Sequence, residues 1–101
     1  MPQSDNPTLG AAFEQAAKDI HSLEARPDNA TLLHLYGLYK QGAEGDAGNE
    51  KPGFFDFVGT AKYEAWVALR GLDRQAAMQQ YIDLVGKLRG TDTLPGSKLE
   101  D

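Results

Sequence analysis

Apolar residues return at three- and four-residue steps in four separate runs of this chain, and no run alternates apolar with polar. That spacing keeps one side of an α-helix apolar, whereas a half-buried strand needs a period of two. The pattern predicts an all-α fold, and four such faces close most simply into a four-helix bundle. The first run, Leu9 to Leu23, puts Leu9, Phe13, Ala16, Ile20 and Leu23 on one face. It ends before Pro27, which disfavours helix at Arg26. The second starts at an Asp28 or Asn29 cap and reaches about Ala43, with Leu32, Leu35, Tyr36 and Tyr39 facing inward. The third spans about Gly59 to Leu69, with Ala61, Ala65, Trp66 and Leu69 inward and Gly71 as its stop. The fourth begins at an Asp73 cap and runs to Leu88 or Arg89, with Ala77, Tyr81, Leu84, Val85 and Leu88 inward and Gly90 as its stop.

A chain of 101 residues, 41% hydrophobic and 25% charged, has the size and balance of one soluble domain. Residues 1–8 and 91–101, rich in Pro, Gly, Ser, Thr and Asp, read as flexible tails around a domain at 9–90. No apolar run is long enough to span a bilayer, and the first residues lack the features of a secretory signal, so no stable membrane insertion is expected. The absence of cysteine excludes a disulfide framework and fits a reducing, cytoplasmic setting. A net charge of −5 opposes general binding to nucleic acid or anionic membrane. Any anionic ligand must be held by a local patch. Between Glu44 and Phe57 lie three glycines, one proline and three of the four phenylalanines, without period. Structureless loops of this length are uncommon in compact domains unless functional, and this one is expected to lie ordered against the core.

Tyr36, Tyr39 and Lys40 stand at i, i+3 and i+4, so one helical face offers two rings and an ammonium. Lys62 and Trp66 repeat the spacing on the third helix. Rings beside ammonium groups suit a flat heterocycle with phosphates next to it. Taken singly, each pair is more often a half-buried tyrosine and a solvated lysine. Other chemistry finds no support. His21 and His34 have no carboxylate cluster at metal-ligand spacing, so no metal is expected. Ser4, Ser22 and Ser97 stand in no nucleophile-elbow context, and Gly42 to Gly53 contains no Walker pattern. Gly37, inside the second helix, costs about 1 kcal/mol against alanine. It serves either close helix packing or space for a ligand.

The spaced blocks together are more specific. They read Tyr36-Gly-Leu-Tyr39-Lys40-Gln41, Gly45-Asp46, Lys51-Pro52-Gly53, and Asp56-Phe57-Val58-Gly59-Thr60-Ala61-Lys62-Tyr63-Glu64-Ala65-Trp66. Phe13-Glu14, Ala16-Ala17, Ala76-Ala77-Met78 and Tyr81-Ile82 add to them. In these residues, from about Phe13 to Leu88, the chain resembles the acyl-CoA-binding protein family. The resemblance implies a four-helix bundle of that type, with a long ordered loop between helices 2 and 3. It also implies non-catalytic binding, protection and intracellular transport of long-chain fatty acyl-CoA thioesters.

By the same resemblance, Tyr36, Tyr39, Lys40, Lys62 and Tyr81 hold the coenzyme A head, its phosphates and adenine, with His21 at a first-helix position that is commonly lysine. Phe13 and Ala17 border the acyl groove, and Leu33, one turn before Tyr36 and Gly37 in this sequence, is read as a further wall. The physics agrees: two ammonium groups suit a doubly charged phosphate, and ring stacking on adenine contributes about 1–3 kcal/mol. Each methylene removed from water adds about 0.8 kcal/mol, which favours long-chain thioesters over free coenzyme A. Phe54 and Phe55 cover either the acyl chain or the core, the core being the commoner place for aromatics in ordered loops. Four departures, one of them Tyr63 where the family pair has its first tryptophan, imply lower affinity or a changed chain-length preference. His21 is of a residue type mostly neutral at pH 7, and Val58 and Thr60 replace frequent lysines beside the site. The implied ligand is acyl-CoA with no cofactor, and the implied state is a monomer in transient contact with acyl-CoA-using enzymes. Some family members carry an isomerase or membrane segments, for which 101 residues leave no room. The alternative is a helical protein-interaction module that keeps the fold with weak or lost acyl-CoA binding.

Overall fold

The computed structural model describes residues 7–93, which form four α-helices and, among those residues, no strand. Helix α1 is Pro7–Asp19, tightening into a 3₁₀ turn at Ile20–Ser22; α2 is Asn29–Glu44, α3 is Phe57–Val67 and α4 is Arg74–Thr93. Asp28 caps α2 by accepting from the Thr31 amide at 2.8 Å, and Asp56 caps α3 by accepting from the Gly59 amide at 2.8 Å. Asp73 takes the Gln75 and Ala76 amides at 3.0 and 3.2 Å at the head of α4. Each carboxylate satisfies amides that have no partner within the helix. The Asp56 cap moves the start of α3 forward from Gly59 to Phe57. Gly71 stands in the turn after α3 with φ 91°, as a helix-ending glycine should. Gly90 does not stop α4, which continues through it to Thr93, into the segment read as a tail. A glycine ends a helix only where the chain adopts left-handed φ, and Gly90 is not among the glycines that do so. The remaining tail residues, 1–6 and 94–101, lie outside the described residues.

Helix α2 is the common partner of α3 and α4, while α1 packs on α4. Phe13, Ala16, Leu35, Leu38, Ala77, Tyr81 and Val85 form the buried core where α1, α2 and α4 meet. Helix α3 contributes no fully buried residue; the inward face read for it is only half-buried, because α3 rests on α2 from outside that core. The α2–α3 crossing explains Gly37. A Cβ there would lie 2.6 Å from the Ala65 carbonyl oxygen, so the glycine serves close helix packing. Gly37→Ala gains about 1 kcal/mol of helix propensity but overpacks a backbone contact at a cost of about 1–3 kcal/mol. The expected result is net destabilisation of about 1 kcal/mol, read as a lower midpoint in urea unfolding.

The first half of the 45–56 loop is held by side chains reaching across it. Trp66 Nε1 donates to the Gly45 carbonyl at 2.8 Å and the Tyr63 hydroxyl to the Gly48 carbonyl at 2.7 Å. Arg70 donates to the Ala47 and Gly48 carbonyls at 3.0 and 2.8 Å. Gln41, fully buried, donates through Nε2 to Asp46 Oδ1 and to the Leu72 carbonyl, each at 2.8 Å. The second half departs from expectation. Phe54, Phe55 and Phe57 are 85%, 80% and 74% exposed and cover neither core nor groove. Polar bonds to loop carbonyls fix the loop, so burial of its rings is not what orders it.

Asp46 Oδ1 also accepts the Gly71 amide at 2.9 Å, joining the loop to the α3–α4 turn. That bond, then the one from Gln41, lowers the Asp46 carboxyl below its usual 3.8. A lowered native value means the stability gained is fully present above the unfolded aspartate range and is lost as pH falls through the native value. Asp46→Asn is expected to be less stable than wild type near neutrality, with the gap closing in acid; thermal unfolding against pH measures it.

Candidate functional site

Helices α1, α2, α3 and α4 and the 3₁₀ turn all contribute to one open groove of about 530 Å³. It gathers Ala17 from α1, His21 from the turn, Tyr36 and Tyr39 from α2, Lys62 from α3 and Tyr81 from α4, over a floor of Ile20, Leu32 and Leu35. The i, i+3 spacing of Tyr36 and Tyr39 turns both rings to the same side of α2. Behind them, Phe13 is only 2% exposed. Its ring stacks on Tyr39 at 5.1 Å between centroids, 20° from parallel, and meets the Tyr81 ring edge-on at 5.4 Å. Phe13 is thus the backing of the ring cluster and not part of the groove surface, in keeping with its place on the core stripe of α1. Tyr39 and Tyr81 complete the triangle at 5.8 Å. Burial, followed by the nearby Tyr39 and Glu14, raises the Tyr81 phenol above its usual 10.0. Its hydroxyl therefore keeps its proton at neutral pH and can donate.

Lys62 Nζ lies 5.3 Å from the Tyr36 ring centroid, so a cation and a ring face open on the same groove. A second cleft of about 390 Å³ adjoins it and shares Leu32, Tyr36 and Lys62. Leu33, Val58 and Ala61 make its walls apolar, and Arg26 and Asn29 stand at its edge. Arg26 was not among the residues singled out from sequence. Its only visible feature there is its place before Pro27, which speaks of helix termination and not of a cation beside Lys62.

Lys40 stands apart from both linings. Its ammonium donates to Glu44 Oε2 at 2.5 Å, one turn along α2, and lies 4.8 Å from the Trp66 ring centroid. The bond to Glu44 is the main cause that raises the Lys40 ammonium above its usual 10.5. Thr60, read as removing charge beside the site, lines a cleft on the opposite face of α3. Of the two substituted positions in α3, only Val58 borders the groove system. That opposite cleft is the larger, about 770 Å³, with Lys51, Pro52, Phe54, Tyr63 and Val67 in its lining. It offers no counterpart to the Tyr36, Tyr39, Tyr81 and Lys62 constellation, so chemistry and not size selects the first groove.

A sequence model of the acyl-CoA-binding protein family matches residues 10–85, from α1 into α4. The chain belongs to the acyl-CoA-binding protein family. Rice acyl-CoA-binding protein 2 (Oryza sativa) superposes with a TM-score of 0.79 at 34% identity, covering 85% of this chain and 94% of that one. Acyl-CoA-binding domain-containing protein 6 of Xenopus laevis is 45% identical over 80 residues, 79% of this chain and 28% of its own length. Enoyl-CoA delta isomerase 2 of Rattus norvegicus is 47% identical over 76 residues, 75% of this chain but 19% of its own length. The chain thus matches less than a third of the length of each of these two curated relatives, and the isomerase match is confined to the acyl-CoA-binding domain.

Proposed function

We propose that this member of the acyl-CoA-binding protein family is a non-catalytic carrier that binds long-chain fatty acyl-CoA, shields the thioester and delivers it intact to enzymes in the cytoplasm. The observation that carries this reading is the single groove joining the Tyr36, Tyr39 and Tyr81 rings to the Lys62 ammonium, with an apolar cleft running on from it. In this reading adenine stacks against the half-buried Tyr36 and Tyr39 rings, and the 3′-phosphate accepts a charge-assisted bond from Lys62 and a hydrogen bond from a tyrosine hydroxyl. The acyl chain lies along Leu32, Leu33, Val58 and Ala61, with Ala17 leaving room in the head groove. Arg26 adds a cation that offsets part of the charge missing at His21 and Val58. No helix of the described residues is long and apolar enough to cross a membrane, which suits a carrier acting as a monomer between enzymes.

Calorimetric titration with palmitoyl-CoA, free coenzyme A and palmitate tests the proposal. The thioester is expected to bind tightest by orders of magnitude, because only it fills both clefts. Absence of palmitoyl-CoA binding by the folded protein contradicts the carrier and leaves a helical interaction module.

Lys40 can reach the ligand only by leaving Glu44. An exposed i, i+4 pair is worth about 0.3–0.5 kcal/mol, and the Glu44 carboxylate also repels the incoming phosphates. Glu44→Gln is therefore expected to tighten palmitoyl-CoA binding about threefold at low salt. The gain should shrink as salt screens the repulsion.

A further inference from the structure

The four most exposed large apolar side chains of the described residues are consecutive but for the capping Asp56: Phe54, Phe55, Phe57 and Val58. Val58 is 68% exposed, and the three rings more so. Phe54 and Phe55 meet edge-on at 4.9 Å, forming one apolar knob at the end of the loop. Contiguous exposed apolar surface of this kind marks a contact with a partner or a lipid phase. Phe54 and Phe57 also border the cleft on the far side of α3, yet most of each ring faces solvent, open to a soft phase.

Some polar groups of the knob are already engaged. The Asp56 amide donates to the Gly53 carbonyl at 3.0 Å and the Phe57 amide to the Phe55 carbonyl at 3.1 Å. The Asp56 carboxylate is engaged by the Gly59 amide. These bonds lower the cost of bringing this irregular backbone against lipid. Val58 belongs both to the knob and to the wall of the apolar cleft that continues into the Tyr36–Lys62 groove. Leu33 and Ala61 line the same cleft as Val58, so apolar surface continues from the knob into it. The overall charge of −5 selects among lipid surfaces, since an anionic one repels the protein.

We propose that the Phe54–Phe55–Phe57–Val58 knob docks the protein reversibly on zwitterionic phospholipid surfaces, so that the groove takes up its long-chain ligand directly from the bilayer. The uptake clause rests on the carrier reading; the docking does not.

Flotation of the ligand-free protein with phosphatidylcholine vesicles, beside the Phe54→Ser/Phe55→Ser variant and a Phe55→Trp reporter, tests this. Wild type is expected to partition to the vesicles, and the double variant at least about tenfold less, as loss of even partial burial of two rings requires. The Phe55→Trp emission should shift to the blue and be quenched by lipids brominated on their acyl chains, beyond the background from Trp66. Both substituted side chains are exposed and lie outside the Tyr36–Lys62 groove, so helix content and palmitoyl-CoA affinity should match wild type. Equal partition of variant and wild type, or none by wild type, overturns the docking. So does concentration-dependent self-association of wild type that the double variant loses, which assigns the knob to a second copy of the chain. Palmitoyl-CoA titration of the same samples separates the two proposals: lost flotation with intact ligand binding sinks only the docking, and lost ligand binding sinks only the carrier.

Discussion

Reversing the charge of Lys62 by Lys62→Glu is expected to weaken palmitoyl-CoA binding by about a hundredfold or more, by loss of a charge-assisted bond and gain of repulsion. Lys62 is the ammonium common to both adjoining clefts and lies over the Tyr36 ring, so no other lysine among the groove residues can replace it. The lost bond alone accounts for about 1.5–3 kcal/mol, and a carboxylate facing phosphates adds to it. Lys87→Glu changes net charge equally but sits in a separate small cleft with His34, Leu38 and Asp83, and should alter affinity only slightly. Comparable losses in both variants would mean that overall charge, not the groove, sets affinity. Stability should barely change in either, because both side chains are exposed.

Phe13→Ala is expected to cost about 3–5 kcal/mol of stability, the range for emptying a buried aromatic site. Phe13 is 2% exposed and touches both Tyr39 and Tyr81, so the cavity opens directly beneath the ring cluster. Two effects follow in denaturant unfolding and titration. The midpoint falls steeply, and in the fraction that stays folded the affinity drops because Tyr39 and Tyr81 lose their backing. A Phe13→Leu variant, which keeps an apolar side chain in the site, should recover most of the stability. A groove-wall role would give the reverse split: large loss of affinity with the unfolding midpoint little changed.

Periodicity was sufficient for the four helices, because Asp28, Asp73 and Gly71 are local signals acting on their own backbone. It erred where a local signal had a non-local answer. Gly90 looks like a stop in sequence, yet α4 continues to Thr93. The loop phenylalanines look like core, yet Trp66, Tyr63 and Arg70 already hold the loop through its carbonyls, and the rings stay outside. The site was legible as residue types, since Tyr36, Tyr39, Lys62, Tyr81, Ala17 and His21 do converge on one groove. Their division of labour was not. Lys40 shares the spacing of Tyr36 and Tyr39, but only the fold shows that Glu44 and Trp66 hold its ammonium elsewhere. Gly37 was ambiguous until the Ala65 carbonyl was placed beside it. Arg26 carries no periodic signature, and only the meeting of the α1–α2 connection with α3 puts it near Lys62.

Amide chemical-shift mapping of the folded protein with palmitoyl-CoA tests most directly whether the ligand lies in this groove. The largest shifts are expected at Ala17, His21, Tyr36, Tyr39, Lys62 and Tyr81, with a second set at Leu33, Val58 and Ala61 along the chain. Shifts confined to Lys51, Pro52-adjacent Gly53, Thr60, Tyr63 and Val67 would place the ligand in the larger cleft on the opposite face of α3 and contradict the site proposed here.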